Sequence, residues 1–493
     1  MENTENRTQA QILADNLGYR KTNFYEAADE AAIRAAYDYA PGYMKFLDEA
    51  KTEREASRVA IAMAEANGYV PYTFGMKTEV GGKYYYNNRG RNLYLFRIGT
   101  EPIENGVRIV AAHIDNPRVD VKQSPLYEDG GFAFFKTRYY GGIRKYQWVT
   151  IPLALHGVVI KKNGEKVPVN IGEDENDPVF CISDLLIHLA QEQMAKNAKD
   201  VVEGEALDLI VGGRPLAGEE KDAVKANVLK LLDDKYGVEE EDFLSAELEI
   251  VPAGKARDMG FDRSMIGGYG HDDRVCSYPA LRAILDSGTP EHTAVVILTD
   301  KEETGSDGNT GLCSSYLPYF LEDLADCFGA KGRHVMHASQ CLSADVNAAF
   351  DPTFPDVMEQ KNCAFLNHGV CVTKFTGARG KSGTSEQLNM HRRADGDYKK
   401  VASFAAVLPA DDPEILVYVM LDDPNNARTD YSSLLAAPVV GNIISEIAPY
   451  LGVEQDAAYN PTGTVKVQTC LEYTWTNAQV TLNRLGLKHK LIG

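Results

Sequence analysis

Tryptophan is nearly absent from this 493-residue chain, with two in total, and cysteine is sparse. The eight cysteines, at 181, 276, 313, 327, 341, 363, 371 and 470, include no Cys-x-x-Cys pair and are too scattered for a disulfide scaffold. That spacing excludes a small stapled secreted domain and fits a reducing cytoplasm. Positive charge is also short: 51 Lys and Arg stand against 71 Asp and Glu, a net charge of −20. Such a balance argues against a sequence-independent grip on nucleic-acid phosphates. No run reaches the ~18 apolar residues of a membrane helix, and Met1-Glu2-Asn3-Thr4-Glu5-Asn6-Arg7 lacks the basic start and apolar stretch of a signal peptide. The chain therefore reads as cytosolic and soluble, with no nucleic-acid or membrane partner. Internal repeats and low-complexity segments are missing too, and the length is enough for a large core in two or more domains.

What is present is an α/β pattern. Helical periodicity runs in two segments from about 27 to 68, the second through Ala56, Val59, Ala60, Ile61 and Ala64 to a stop at Asn67-Gly68. Leu93-Tyr94-Leu95-Phe96 and Val107-Arg108-Ile109-Val110-Ala111-Ala112 follow, the second an almost unbroken apolar run of the kind buried on both faces of a sheet. His113 falls where that strand ends. From 118 to 250 the segments become Gly-rich, aromatic and alternating, as in Phe132-Ala133-Phe134-Phe135 and Val149-Thr150-Ile151-Pro152-Leu153, which predicts antiparallel strands. A charge-rich helical stretch runs on to about Glu240, and the whole block reads as an inserted domain. Near 250 the open pattern returns, with a helix after Asp272-Asp273 and a buried strand Ala294-Val295-Val296-Ile297-Leu298 ahead of Asp300. The expected fold is a mixed sheet flanked by helices, with a β-rich insertion.

Four short motifs lie at these strand ends and helix starts: Ala112-His113-Ile114-Asp115, His271-Asp272-Asp273, Asp300-Lys301-Glu302-Glu303-Thr304-Gly305 and Ser343-Ala344-Asp345. In open α/β sheets ligands collect at the carboxyl ends of strands, so residues far apart in sequence can converge there. Singly, each motif has a commoner structural use. His-x-Asp can be a turn hydrogen bond, and Asp272-Asp273 an N-cap with a first-turn charge. Glu302-Glu303 can be a solvated acidic helix start. Jointly they supply the imidazole and hard-oxygen donors of a two-zinc hydrolase. In such a site the metals polarise a carbonyl and acidify a water while a nearby carboxylate moves the proton. Glu302-Glu303 after an extended strand would send one carboxylate each way, one to metal and one to substrate.

His113-Ile114-Asp115-Asn116-Pro117, Asp272-Asp273-Arg274, Glu302-Glu303-Thr304-Gly305-Ser306 and Ser343-Ala344-Asp345 resemble the motifs of the aspartyl aminopeptidase family, which are dinuclear zinc exopeptidases. The resemblance implies His113 and Asp345 as zinc ligands, Asp272 bridging two ions, Glu303 as a further ligand and Glu302 as the general base. It also implies that Asp115 orients His113, that Lys374 lies near the peptide substrate, and that residues 118–250 are a dimerisation domain whose dimers assemble into dodecamers. Two departures stand out. Ala348 holds a position where acid-selective members carry histidine, which leaves the preferred N-terminal residue open. The family also closes its site with a histidine in a Ser-Met-His segment roughly a hundred residues past the final metal aspartate. After Asp345 the histidines here are His368, His391 and His489, and none lies in such a segment.

Beyond about residue 380 the chain resembles another family. Gly380-Lys381-Ser382-Gly383-Thr384-Ser385-Glu386 is similar to the Lys-Thr/Ser-Gly-Thr strand of penicillin-binding transpeptidases. Ala402 to Ala410 and Ile415 to Pro424 look like that domain's closing strands, with a terminal helix from Ala436 to Leu451. Val465 to Leu487 is similar to the first half of a PASTA module. Neither a Ser-x-x-Lys nor a Ser-x-Asn motif occurs anywhere in the chain, so acylation by penicillin is not expected. The expected organisation is an aminopeptidase catalytic domain in 1–117 and 251–380, an insertion in 118–250, a transpeptidase-like fragment in 381–455 and a partial PASTA-like segment in 456–493. Its function is expected to be zinc-dependent release of N-terminal residues. The alternatives are a chimera impaired by the absent histidine and a cell-wall-binding fusion.

Overall fold

A computed structural model of the chain describes residues 8–19, 21–357 and 359–372, the backbone of three later strands, and residues 439, 440 and 443. The chain divides into two compact units at Gly369 and Val370. Lys374, His391, all of the transpeptidase-like helix except residues 439, 440 and 443, and the PASTA-like segment lie outside the described residues.

The first unit contains a six-stranded sheet in the order Val70–Pro71, Lys83–Asn88, Asn92–Arg97, Ala294–Thr299, Arg108–His113, Gln340–Ser343. Ala294–Thr299 runs antiparallel to Asn92–Arg97 but parallel to Arg108–His113, and Gln340–Ser343 is parallel again. The sheet is therefore mixed, with three adjacent parallel strands at one side. Alternate residues explain why it is sandwiched. Leu93, Leu95, Val296 and Leu298 face the helices Glu30–Glu49, Glu53–Ala66 and His271–Asp286. Tyr94, Phe96, Val295 and Ile297 face Tyr316–Asp326 and Gly332–Ala338. Each such side chain taken fully from water contributes about 1.5–3 kcal/mol, so both faces must be covered.

The N-terminal helices begin where their caps dictate. Asp29 accepts from the Ala32 amide, and Thr52 with Glu55 forms a reciprocal capping box. Asn67-Gly68 ends the second helix, with Gly68 at φ 81°.

Residues 118–252 build a separate antiparallel sheet of seven strands in the order Lys166–Ile171, Leu153–Ile160, Glu247–Pro252, Arg118–Asp129, Phe132–Tyr140, Leu209–Gly212, Cys181–Ile182. Gly130 and Gly131, both at positive φ, make the two-residue turn that joins Arg118–Asp129 to Phe132–Tyr140. Helix Ala223–Tyr236 packs Val224 and Val228 into the core of this sheet. One predicted strand moves: Val149 to Pro152 is a run of bends with Thr150 at φ 59°, and the strand starts only at Leu153. Alternation alone could not see that left-handed residue.

In the second unit, Thr384–Glu386, Lys400–Leu408 and Ile415–Asp422 pair as a three-stranded antiparallel sheet. Its two longer strands coincide with the apolar runs read as strands from the sequence.

Candidate metal centre

The three parallel strands end at one edge, and the acidic motifs gather there. His113 is the last residue of its strand and is 2 % exposed. Its Nδ1 lies 2.9 Å from the Asp115 carbonyl oxygen, which can only accept, so Nδ1 carries a proton. In the neutral ring, Nε2 then keeps an unprotonated lone pair that can bind a metal. Around Nε2 stand Asp272 Oδ1 at 3.0 Å, Asp345 Oδ1 at 3.7 Å and Glu302 Oε2 at 3.9 Å.

Asp115 is fully buried and acts as the hub. Oδ1 accepts from the Glu302 amide at 3.1 Å, and Oδ2 accepts from the Glu303 amide at 3.1 Å and the Tyr140 hydroxyl at 2.7 Å. These two amides belong to a 3₁₀ turn, Glu302–Thr304, entered through Lys301 at φ 72°. The expectation that an extended Glu302-Glu303 would splay its carboxylates to opposite sides is thus corrected: the pair sits in a tight turn, and both acids come within reach of His113. Asp272 and Asp273 precede the regular part of helix His271–Asp286, with non-helical backbone and a cis bond between them. The Asn116 amide holds the Asp272 carbonyl.

Two overlapping donor groups result among the described residues: His113 with Asp272 and Glu303, and His113 with Asp273 and Asp345. The structure brings together His113, Asp115, Asp272, Glu302, Glu303 and Asp345, while Lys374 lies outside the described residues. It adds Asp273 and Tyr140. Asp273 was visible inside its motif, but spacing could not tell which of two adjacent aspartates faces the cluster. Tyr140 reaches Asp115 from the antiparallel sheet, and no local pattern announces that.

Electrostatics mark the cluster as short of a cation. Burial opposes charge on His113, but Asp115, Asp272 and Asp345 outweigh it and push the imidazole up to about 12. Burial and the Asp272 charge push Glu303 up to about 7, and burial pushes Asp273 there as well. Glu302 is raised by burial and by Asp345, Asp115 and Asp272. Both Asp273 oxygens are buried, and among the described residues only the weakly donating Cys276 thiol bonds this carboxylate. The donors fit zinc: tetrahedral ligands about 2.1 Å from one ion stand about 3.4 Å apart, a spacing that lies between the 3.0 and 3.7 Å found around Nε2. Imidazole nitrogen with carboxylate oxygen is also zinc's common ligand set.

An imidazole and carboxylate cluster at the carboxyl edge of parallel strands fits a metal-dependent hydrolase. Residues 46–402 match the profile of the aminopeptidase I zinc metalloprotease (M18) family. The chain is 48% identical over 373 residues to the probable M18 family aminopeptidase 1 of Clostridium acetobutylicum, covering 74% of this chain and 80% of that one. The corresponding protein of Thermotoga maritima is 45% identical over 349 residues, or 70% and 76%. Among solved structures, the M18 aminopeptidase of Thermotoga maritima superposes with a TM-score of 0.70 at 43% identity, over 74% of this chain and 80% of that chain. Aminopeptidase I from Clostridium acetobutylicum gives 0.69 at 47%, over 74% and 81%. The chain belongs to the M18 family of zinc aminopeptidases. Residues 368–445 also match the penicillin-binding protein transpeptidase domain, so the chain carries the marks of two families.

Proposed function

We propose that the chain releases N-terminal amino acids from peptides with zinc, using Glu302 as the general base. The observation that carries this reading is the convergence of Asp272, Asp345 and Glu302 on the one free nitrogen of His113. His113, Asp272, Glu303 and Asp345 would hold two ions, Asp272 being shared. Bound zinc supplies Lewis acidity toward the scissile carbonyl and acidifies water at neutral pH. Asp115 keeps the His113 proton on Nδ1 and Nε2 free. Glu302, held above the usual carboxylate range by burial and nearly half exposed, takes the proton of the attacking water and returns it to the leaving amine.

Residues 1–117 and 251–380 form the catalytic domain in this reading, and 118–250 the dimerisation domain of a cytoplasmic homo-oligomer. Leu185, Leu186, Ile187, Leu189 and Met194 are all more than half exposed beside the sheet-edge strand Cys181–Ile182, an apolar surface suited to a second copy. No helix among the described residues is long and apolar enough to cross a membrane.

One observation favours a second reading, a chimera with impaired activity. Both donor groups draw on the same imidazole, whose single free nitrogen serves one ion, and the family's closing histidine has no counterpart in sequence. Zinc analysis and hydrolysis of amino-acid nitroanilides decide. Two ions per chain with turnover, and Glu302→Gln retaining zinc while losing about 10²–10⁴-fold in kcat, is the expected result. An inert chain without bound zinc supports the chimera, and full turnover by Glu302→Gln removes the assignment of the base.

A further inference from the structure

The end of strand Phe132–Tyr140 reaches the metal centre from the other sheet. Tyr140 is 9 % exposed and donates its hydroxyl to Asp115 Oδ2 at 2.7 Å. The Arg118 guanidinium lies 4.0 Å from the centre of its ring and the Lys301 ammonium 5.2 Å. Gly141, next in the chain, is at φ 70°, and a Cβ there would stand 3.0 Å from Glu303 Oε2 and 3.2 Å from Glu303 Cβ. The last residue of this strand therefore bonds one part of the centre, and the residue after it lies close against another. Among the described residues, the other partners of the Asp115 carboxylate are the amides of the turn that carries Glu302 and Glu303, with His113 Nδ1 3.4 Å from Oδ1. Of these contacts, Tyr140 is the one from outside the group that Asp115 organises.

We propose that Tyr140 is a positioning residue for the metal centre, holding Asp115 so that it fixes both the His113 ring and the Glu302–Glu303 turn, with Gly141 leaving room for Glu303. This rests on the zinc reading of that centre. A buried carboxylate anchored on one side only can rotate, and groups that orient metal ligands from behind typically change affinity or activity about 10–100-fold when lost. Tyr140→Phe keeps the ring on Arg118 and removes only the hydroxyl.

The deciding measurement is amide hydrogen exchange, by mass spectrometry, of peptides spanning residues 300–305 in the full metal-free chain. The Glu302 and Glu303 amides should exchange about tenfold faster in Tyr140→Phe, the cost of weakening a hydrogen bond to a charged group. Zinc affinity by chelator competition should fall about 10–100-fold, and kcat should fall more than KM changes. Tyr127→Phe is the control: that hydroxyl bonds Asp208 elsewhere on the same sheet, so exchange at 300–305 should not change. Unchanged exchange in Tyr140→Phe overturns the proposal, as does an equal effect from Tyr127→Phe. A wild-type chain that takes up no zinc sinks the zinc reading, while the exchange arm still decides Tyr140.

Discussion

Both sheets of the first unit pack on apolar cores, the six-stranded one through Leu93, Leu95, Phe96, Ile297 and Leu298 and the seven-stranded one through Phe135, Leu155 and Ile250, but the seam beside the second sheet is polar. Where the seven-stranded sheet meets the helices Glu30–Glu49 and Glu53–Ala66, it buries charge. Arg118 lies 3.2 Å from Glu53, 3.3 Å from Glu249 and 2.8 Å from Asp120. Arg91 pairs with Glu53 and reaches Asp300 at 3.7 Å, next to the Lys301-Glu302-Glu303 turn. His156 is held between Glu55 at 2.9 Å and Glu173 at 3.1 Å, and Lys51 reaches Glu173 at 2.5 Å. Apolar layers pack in many ways, whereas charges out of water tolerate few arrangements. The comparison teaches that the first sheet supplies the strand ends carrying the donors, while the polar seam specifies how the second sheet seats against them.

The seam is where that contrast breaks most readily. Arg118→Ala should destabilise the chain by about 3–5 kcal/mol, because Glu53 and Glu249 stay buried with Arg91 as their one remaining cation among the described residues. Chemical denaturation read by circular dichroism checks this, and a loss below about 1 kcal/mol would mean that the seam is not specified by charge.

The His156 link should respond to pH. Burial lowers the His156 pKa, but hydrogen bonds to Glu173 and Glu55 outweigh it and leave it raised. Its contribution is therefore full below the unfolded value of about 6.5 and is lost as pH rises through the raised folded value. Burial raises Glu55 and Glu173, yet their hydrogen bonds to His156 leave both lowered, so their contribution fades as pH falls below about 4.5. The melting-temperature gap between the parent and His156→Gln should be widest from about pH 4.5 to 6.5 and should narrow above it. A gap independent of pH would assign the link to packing. The smallest effect is local: Gly131→Ala places a side chain at φ 79° with no atom within 4 Å, so strain alone should cost about 1 kcal/mol in the same denaturation assay.

Much of the catalytic sheet was legible. Ala294 to Leu298 and Val107 to Ala112 are apolar runs, and buried parallel strands require such runs. The spacing of Ala56, Val59, Ala60 and Ala64 with the stop at Asn67-Gly68 announced a helix, and the alternation of Phe132 to Phe135 announced a strand. The donors were legible because their motifs close those runs. Harder to see were features set by single backbone conformations or by distant chain. Thr150 at φ 59° delays the strand predicted at Val149, and Lys301 at φ 72° folds Glu302-Glu303 into a turn. Neither leaves a periodic trace.

The sequence by itself determined most of the elements, the donor types and the membership in the M18 family, because hydrophobic period and residue chemistry are local properties. Only the tertiary structure decided that Asp273 joins Asp345 beside His113, that Tyr140 backs Asp115, and that Arg118 sits between Glu53 and Glu249. Those are contacts between residues 25 to more than 200 positions apart, and distance along the chain carries no record of which side chains a fold will press together.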